Sequence, residues 1–344
     1  MGLSLALELH ARGARVVVFD QGEPLSEAST AAAGMLAVND PENPRALAAL
    51  SHLSIALYPG YLERLFKLSG ALVPFHTSTT LQGLGPLRRS TDQSHLPVMT
   101  EETLALLMPH LHTGGQRFAL LTEDSLDPRE LAAALLSAVH ATSIDLRSYT
   151  PVRLARSTDD AIEVHTNDET LSAGQFVDCT GAWAFTPSIP QKLRLGPRKG
   201  QMLAVEMPAG APMHVVVRTP DIYIVPRTAN PERARLVIGA TVEDAGFDKT
   251  VHTEDIARLR SMAAALLPHL AEARELETWA GLRPGTVDHL PLLGEVSKNH
   301  FVAAGHYRNG ILLAPATALI MSQMLAGQQV SVNLAPFSPF RAAR

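Results

Sequence analysis

The chain opens on an apolar stripe at helical spacing. In LSLALELHAR, residues 3–12, Leu3, Leu7 and His10 recur three to four positions apart, as do Ala6 and Leu9, and Gly13 stands where a C-terminal cap belongs. This predicts a helix. The pattern then becomes a continuous apolar run, Val16-Val17-Val18-Phe19, closed by Asp20. A run that short and that uniform suits a strand buried on both faces of a parallel sheet. Helix, glycine turn, buried strand and terminal acid form the second half of a dinucleotide-binding βαβ unit, with the acid placed for a ribose hydroxyl. Gly2 stands where the last glycine of that unit's G-x-G-x-x-G turn belongs; the first strand and the other two glycines are not in the sequence. The sheet is therefore expected to lack a central member and to expose unpaired edges on both neighbours. A late-assigned start, a shortened chain and a natural fragment all stay open as reasons.

Further along, ASTAAAGMLA at 28–37 is a loop almost without bulk, which lets backbone approach a ligand closely; an Ala-rich helix start is its structural competitor. Asp127-Pro128-Arg129-Glu130 has cap, first-turn proline and acid in order, and predicts a helix over about 128–140. Ser148 to Leu154 and Ala161 to His165 read as short strands, and Phe176 to Trp183 as a strand entering a Thr-Gly turn. From 197 to 250 the pattern turns antiparallel, with strands at Met202–Met207, His214–Val217, Ile222–Pro226 and Leu236–Thr241 between turn-forming residues. Thr253 starts a helix carrying Ile256, Leu259, Met262, Ala263 and Leu266. A last helix is expected from near Pro315 to Gly327, and the tail from 328 is weakly patterned and expected to be peripheral.

Two arginines sit on rigid turns. Gly305 to Pro315 carries one fixed cation, Arg308, and runs into an apolar helical pattern, so it presents backbone N–H groups and a guanidinium to one point. Gly281-Leu282-Arg283-Pro284-Gly285-Thr286 holds the second. Beside a nucleotide-binding half-unit, they suggest an enzyme that holds a small carboxylate against a large cofactor.

Composition narrows the rest. A chain of 344 residues exceeds one small core and points to two joined domains. Net charge is −5 and there is no Lys-Arg run, so nucleic acid is not an expected partner. Cys179 is the only cysteine, which excludes an intrachain disulfide and fits a reducing compartment. No segment reaches the roughly 18 apolar residues of a membrane span, and no signal-peptide pattern is read, so the expected location is the cytoplasm. The 14 histidines show no ligand spacing with a third partner, so no metal site is expected. Cys179 reads as core, His289 and His306 as packing or turn residues, and Glu42, Glu101 and Glu102 as solvated acids.

ASTAAAGML, KGQML, DIYIVPR, LVIGAT, WAGLRPGTVDHLPLLG and AAGHYRNGILLAPATA occur in that order. Together they resemble the D-amino-acid oxidase superfamily of FAD flavoproteins, most closely its glycine oxidase branch, which serves thiamine biosynthesis. The resemblance implies an α/β fold: an FAD-binding Rossmann-like domain, here without its first strand, interleaved with an antiparallel-sheet substrate domain. The FAD domain would take 1–40, 115–190 and 281–327, the substrate domain 41–114 and 191–280, and the tail 328–344. Gly2 then matches the last phosphate-loop glycine and Asp20 the ribose acid. Ala28, Ser29, Ala33, Gly34 and Met35 match the loop beneath the cofactor, Val152 the backbone beside adenine, and Thr180 and Gly181 a second cofactor turn. His306, Tyr307, Arg308, Asn309, Gly310, Ile311 and Leu312 match the segment along the isoalloxazine. Arg283 matches the arginine that grips the substrate carboxylate, Tyr223 the active-site tyrosine and Arg308 a second arginine near the substrate. Asp221 departs from a histidine found in one known form, so that contact is not carried over.

The implied reaction moves hydride from the α-carbon of glycine or another small amino acid or amine to flavin N5, hydrolyses the imine and reoxidises the flavin with O2, giving H2O2. The implied assembly is a homo-oligomer. A dehydrogenase of the same fold with a non-oxygen acceptor, and a flavin-free remnant acting as an interaction protein, are the competing readings. On residues alone, Arg283 as anchor of a Pro-Gly turn and Tyr223 as an ordinary half-buried strand tyrosine compete with the site roles.

Overall fold

The computed structural model describes residues 1–85, 96–184, 189–229 and 234–342. In chain order the first elements are α1 (Gly2–Ala11), β1 (Val17–Phe19), α2 (Ala28–Ala31), α3 (Ala48–Ser69), β2 (Phe75–Leu84), α4 (Glu101–Leu107), β3 (Arg117–Leu126) and α5 (Pro128–His140). Then follow β4 (Asp145–Arg147), β5 (Leu154–Ser157), β6 (Ile162–His165), β7 (Thr170–Ala173), β8 (Phe176–Asp178), β9 (Gly196–Glu206), β10 (Val216–Arg218), β11 (Tyr223–Arg227) and β12 (Arg235–Gly239). The chain closes with α6 (Thr253–Leu266), β13 (Glu275–Gly285), β14 (Leu292–Ser297), β15 (His300–Ala304) and α7 (Gly310–Leu325).

The strands make four sheets. A seven-stranded sheet runs β13-β9-β12-β11-β10-β2-β3 and is antiparallel except where β10 meets β2. β1 pairs parallel with β4 (Val17 opposite Asp145), and β8 pairs parallel with β15 in the set β14-β15-β8. β5, β6 and β7 form a small antiparallel sheet. The two parallel pairs belong to separate sheets, and α1 starts beside the end of β8: a Cβ placed on Gly2 would lie 3.5 Å from Cys179 Cβ.

Helices α1, α3, α5 and α7 bury their apolar faces in one core through Leu7, Leu50, Leu135 and Leu313, while α6 covers one face of the large sheet through Ile256, Leu259 and Ala263 against Leu203, Ile224 and Leu236. Burial of such leucines contributes about 1.5–3 kcal/mol each. The α5 start follows the sequence reading, with the Asp127 carboxylate accepting from Arg129 N–H at 2.9 Å.

Three expectations are corrected. Residues 148–153 contain no strand; β4 ends at Arg147 and β5 begins at Leu154. The last helix starts at Gly310, five residues before the expected Pro315. A proline inside a helix leaves the carbonyl four residues back without its N–H. Here Tyr58 of α3 donates its hydroxyl to Ile311 O at 2.6 Å, and Ser54 Oγ donates to Leu312 O at 2.6 Å and accepts from Ala316 N–H at 3.2 Å. A neighbouring helix thus supplies the bonds that let α7 run through Pro315. The tail, expected to be peripheral, is tied in: Phe337 is 1% exposed, and Arg341 grips Asp288 with two bonds of 2.8 Å.

Candidate active site

A cavity of about 1710 Å³ is lined by residues of both parallel pairs and of the large sheet. It exceeds the roughly 300–1,000 Å³ of ordinary small-molecule pockets. Every candidate site residue except Leu312 lines it. Leu312 is 1% exposed and packs in the helical core. It lies in the first turn of α7, where its carbonyl accepts from Ser54 Oγ of α3, and its chain neighbours Gly310 and Ile311 line the cavity.

At one end Asp20 follows β1. Its carboxylate accepts from Gly22 N–H at 3.0 Å, and burial raises its pKa despite that bond. Val152 lines the same end. In the middle, Met1 and Gly2 open the N-terminus of α1 into the cavity, and Thr180 and Gly181 face it after β8. Thr180 N–H and Oγ1 both donate to Asp178 Oδ1, at 2.9 and 2.6 Å, which fixes that turn. The Cys179 thiol beside it is pushed up to about 12 by burial, so it is neutral at physiological pH.

The small-residue loop after α2 is held from the large sheet. Trp279 Nε1 donates to Ala31 O at 3.1 Å, and Arg227 donates to Ala33 O. Arg227 is itself buried against Asp127, and burial lowers its pKa to about 10. Sequence reading found the loop but not these two donors.

At the far end the large sheet carries the substrate candidates. Arg283 lies on β13 opposite Arg198 of β9, and its Nη1 donates to the backbone carbonyls of Lys199 at 3.3 Å and Thr241 at 3.1 Å. Its guanidinium lies flat on Gly200, where a Cβ would collide with it. Tyr223 lies at the start of β11 with its hydroxyl 2.5 Å from where a Cβ on Gly239 would sit. Burial raises the Tyr223 pKa, and the nearby Arg283, Arg227 and Arg308 guanidiniums oppose that rise. Gly200 and Gly239 are therefore seats for the two side chains. They stand in KGQML and LVIGAT, and close approach of a side chain to backbone was the signal that could have singled them out.

The segment before and into α7 is mixed. His306 turns its ring inward to Thr317, with Nε2 to Oγ1 at 3.1 Å, and burial holds its pKa at about 3. Tyr307 has φ 49° and stacks on His289, which has φ 58°, with ring centroids 4.5 Å apart. Asn309 Nδ2 donates to Asn43 Oδ1 at 2.9 Å. Arg308 is paired: its Nη2 lies 3.1 Å from Asp40 Oδ2 and its Nη1 3.0 Å from Glu42 Oε2. Glu42, read as solvated, is exposed and also pairs with Arg308.

The residues present fit an FAD. The acid after β1 suits a ribose, the amide-bearing start of α1 suits phosphate, and the bulk-free loop and the start of α7 suit a flat ring system in a cavity of this volume. No group of three or more potential metal ligands occurs among the described residues.

The fold and this cavity define a flavin-dependent oxidoreductase. The family described as FAD-dependent oxidoreductase matches residues 1–324, and the chain belongs to it. Glycine oxidase of Geobacillus kaustophilus (strain HTA426) is 33% identical over 366 residues, covering 98% of this chain and 93% of that protein. The crystal structure of glycine oxidase from Geobacillus kaustophilus superposes with a TM-score of 0.90 at 31% identity, covering all of this chain and 96% of that one. The bifunctional protein ThiO/ThiG of Trichormus variabilis (strain ATCC 29413 / PCC 7937) is 33% identical over 98% of this chain and 53% of its own length. The protein is an FAD-dependent amino-acid oxidase by family.

Proposed function

We propose that the enzyme oxidises glycine or another small amino acid, with Arg283 holding the substrate carboxylate and Tyr223 beside it. The observation that supports this most is the state of Arg283. It reaches the cavity on a strand, and its bonds to backbone carbonyls use Nη1 alone. A planar guanidinium with free donors clamps a carboxylate through two parallel bonds and fixes its orientation. Tyr223, kept protonated by burial, has a hydroxyl to donate to the same group.

FAD, if bound, would supply the redox chemistry, accepting a hydride (two electrons and one proton) from the substrate α-carbon and yielding the electrons to dioxygen. The chain's own residues bind and orient. The strand-mounted clamp and its glycine seats restrict how the substrate can lie, which lowers the entropic part of the barrier. The start of α7 is open to the cavity at Gly310, and its backbone N–H groups and the positive end of its helix dipole would stabilise negative charge on a flavin bound against it. Arg308 has the same address, but its donors are taken by Asp40 and Glu42, so its part is indirect. The product imine hydrolyses in water to the keto acid and ammonia.

We further propose a role in thiamine biosynthesis and a homo-oligomeric assembly, which the motif resemblance supports, and a cytoplasmic location; net charge −5 without a Lys-Arg run argues against a nucleic-acid partner. No described helix is long and apolar enough to cross a membrane. The test is to add glycine, sarcosine or D-alanine to the FAD-loaded protein under air and measure hydrogen peroxide and the released amine, ammonia from glycine and D-alanine and methylamine from sarcosine. Equal yields of peroxide and amine support an oxidase. Anaerobic flavin bleaching with no peroxide under air would transfer the reading to a dehydrogenase, and no bleaching by any of the three would overturn it.

A further inference from the structure

Arg308 and Arg218 are tied to one carboxylate. Asp40 follows the loop beneath the cofactor; its Oδ2 lies 3.1 Å from Arg308 Nη2 and 3.9 Å from Arg218 Nε. Arg218, at the end of β10, is 4% exposed yet lines the cavity. Its Nε donates to Gln82 Oε1 at 2.5 Å and its Nη1 lies 3.0 Å from Glu123 Oε2, but neither Nη atom has a hydrogen bond of good geometry. Glu123 is fixed in turn by Asn39 N–H at 2.7 Å. Glu42 completes the set on Arg308.

Of this cluster two guanidiniums and two carboxylates line the cavity, Arg308 and Arg218 with Asp40 and Glu42, while Glu123 lies behind Arg218. With the four lining groups ionised their charges cancel. Arg283, which lines the same cavity, has its Nη1 on two backbone carbonyls and no carboxylate paired with it among the described residues. For a substrate whose first carboxylate is on Arg283, a second carboxylate reaching this cluster would meet the like charges of Asp40 and Glu42 and find Arg308 already paired. Without Asp40 the same cavity would offer a freed donor on Arg308 and one carboxylate fewer beside Arg218.

We infer that Asp40 is a specificity-determining residue: by holding Arg308 and Arg218 it restricts the enzyme to amino acids with a single carboxylate and excludes those carrying a second anion. The inference rests on the proposed role of Arg283 as the first carboxylate's clamp. Asp40 touches neither reacting atom; it acts through the two arginines and through its own charge.

The test compares sarcosine with N-(carboxymethyl)glycine, secondary amines that differ in the added carboxylate, on FAD-loaded wild type and Asp40→Asn. The ratio of kcat/KM for N-(carboxymethyl)glycine over sarcosine should rise about tenfold or more in the variant, chiefly through KM. In Asp40→Asn/Arg308→Met the gain should fall back, because the freed guanidinium is removed. A general loss of structure would lower both substrates alike and leave the ratio still. If Asp40→Asn does not fold, Glu42→Gln, at a more exposed position, should raise the ratio about threefold. An unchanged ratio in the folded variant overturns the inference. Malonate binding, read as a perturbation of the flavin spectrum, separates the two levels of the argument: tighter malonate binding in Asp40→Asn with no oxidation of either amine would uphold the charge filter and reject the oxidase reading, while sarcosine turnover with unaltered malonate affinity would do the reverse.

Discussion

Two arginines face the same cavity and are held in opposite ways. Arg283 stands on β13 with Nη1 on two backbone carbonyls and its guanidinium laid over Gly200. Arg308 precedes α7 with both terminal nitrogens on carboxylates, Asp40 and Glu42. Carbonyl oxygens orient a guanidinium without cancelling its charge; carboxylates do both. The first arrangement leaves a cation for a ligand, and the second uses it to fasten residues 40–42 to the start of α7. Arginines on Gly-rich turns look alike in sequence, and the partner's charge separates a ligand clamp from a fastener.

Removing Arg283 should break the comparison most. Arg283→Ala is expected to lower kcat/KM by at least about a hundredfold, on the order of 3 kcal/mol or more, with the flavin absorbance kept. Steady-state kinetics beside a visible spectrum measures this; near-normal kinetics would take the clamp role from Arg283. Gly200→Ala acts on the same group indirectly. The added Cβ collides with the guanidinium, so Arg283 must move, and about a tenfold rise in KM is expected, with Gly200→Ser at least as severe. Arg308→Met should matter less: a few-fold in KM, with easier proteolysis near residues 40–43 because the two ion pairs that fasten them are lost.

His306 gives the smallest and most specific effect. Its folded pKa is about 3 against an ordinary 6.5. A histidine depressed in the folded state stabilises fully above its unfolded pKa, and that stability is lost as pH falls from about 6.5 toward 3. Thermal unfolding across that range should show a gentler acid slope in His306→Gln than in wild type. The activity profile between pH 6 and 9 should show no titration from this ring; equal acid slopes would mean that His306 is not buried neutral.

Much of the frame was readable from pattern. α1, the β1 run with Asp20, the Asp127 cap and the paired strands of the large sheet announce themselves through periodicity and turn residues, because local preference and burial agree there. The start of α7 was not readable. Pro315 is a helix-ending signal on local grounds, and only the hydroxyls of Tyr58 and Ser54, more than 250 residues earlier, reverse it. The site divides in the same manner. Arg283 and Tyr223 came from motif resemblance, whereas the Trp279 and Arg227 bonds to Ala31 and Ala33 carbonyls, and the Asp40 link between two arginines, are tertiary and leave no mark on spacing.

The most direct test of the contrast is a crystal structure of the FAD-loaded enzyme with glycolate, an unreactive carboxylate the size of glycine. The account predicts the carboxylate on the Arg283 guanidinium within about 3.2 Å, with Arg308 still on Asp40 and Glu42. A carboxylate seated on Arg308, with Arg283 turned back to the Lys199 and Thr241 carbonyls alone, would contradict it.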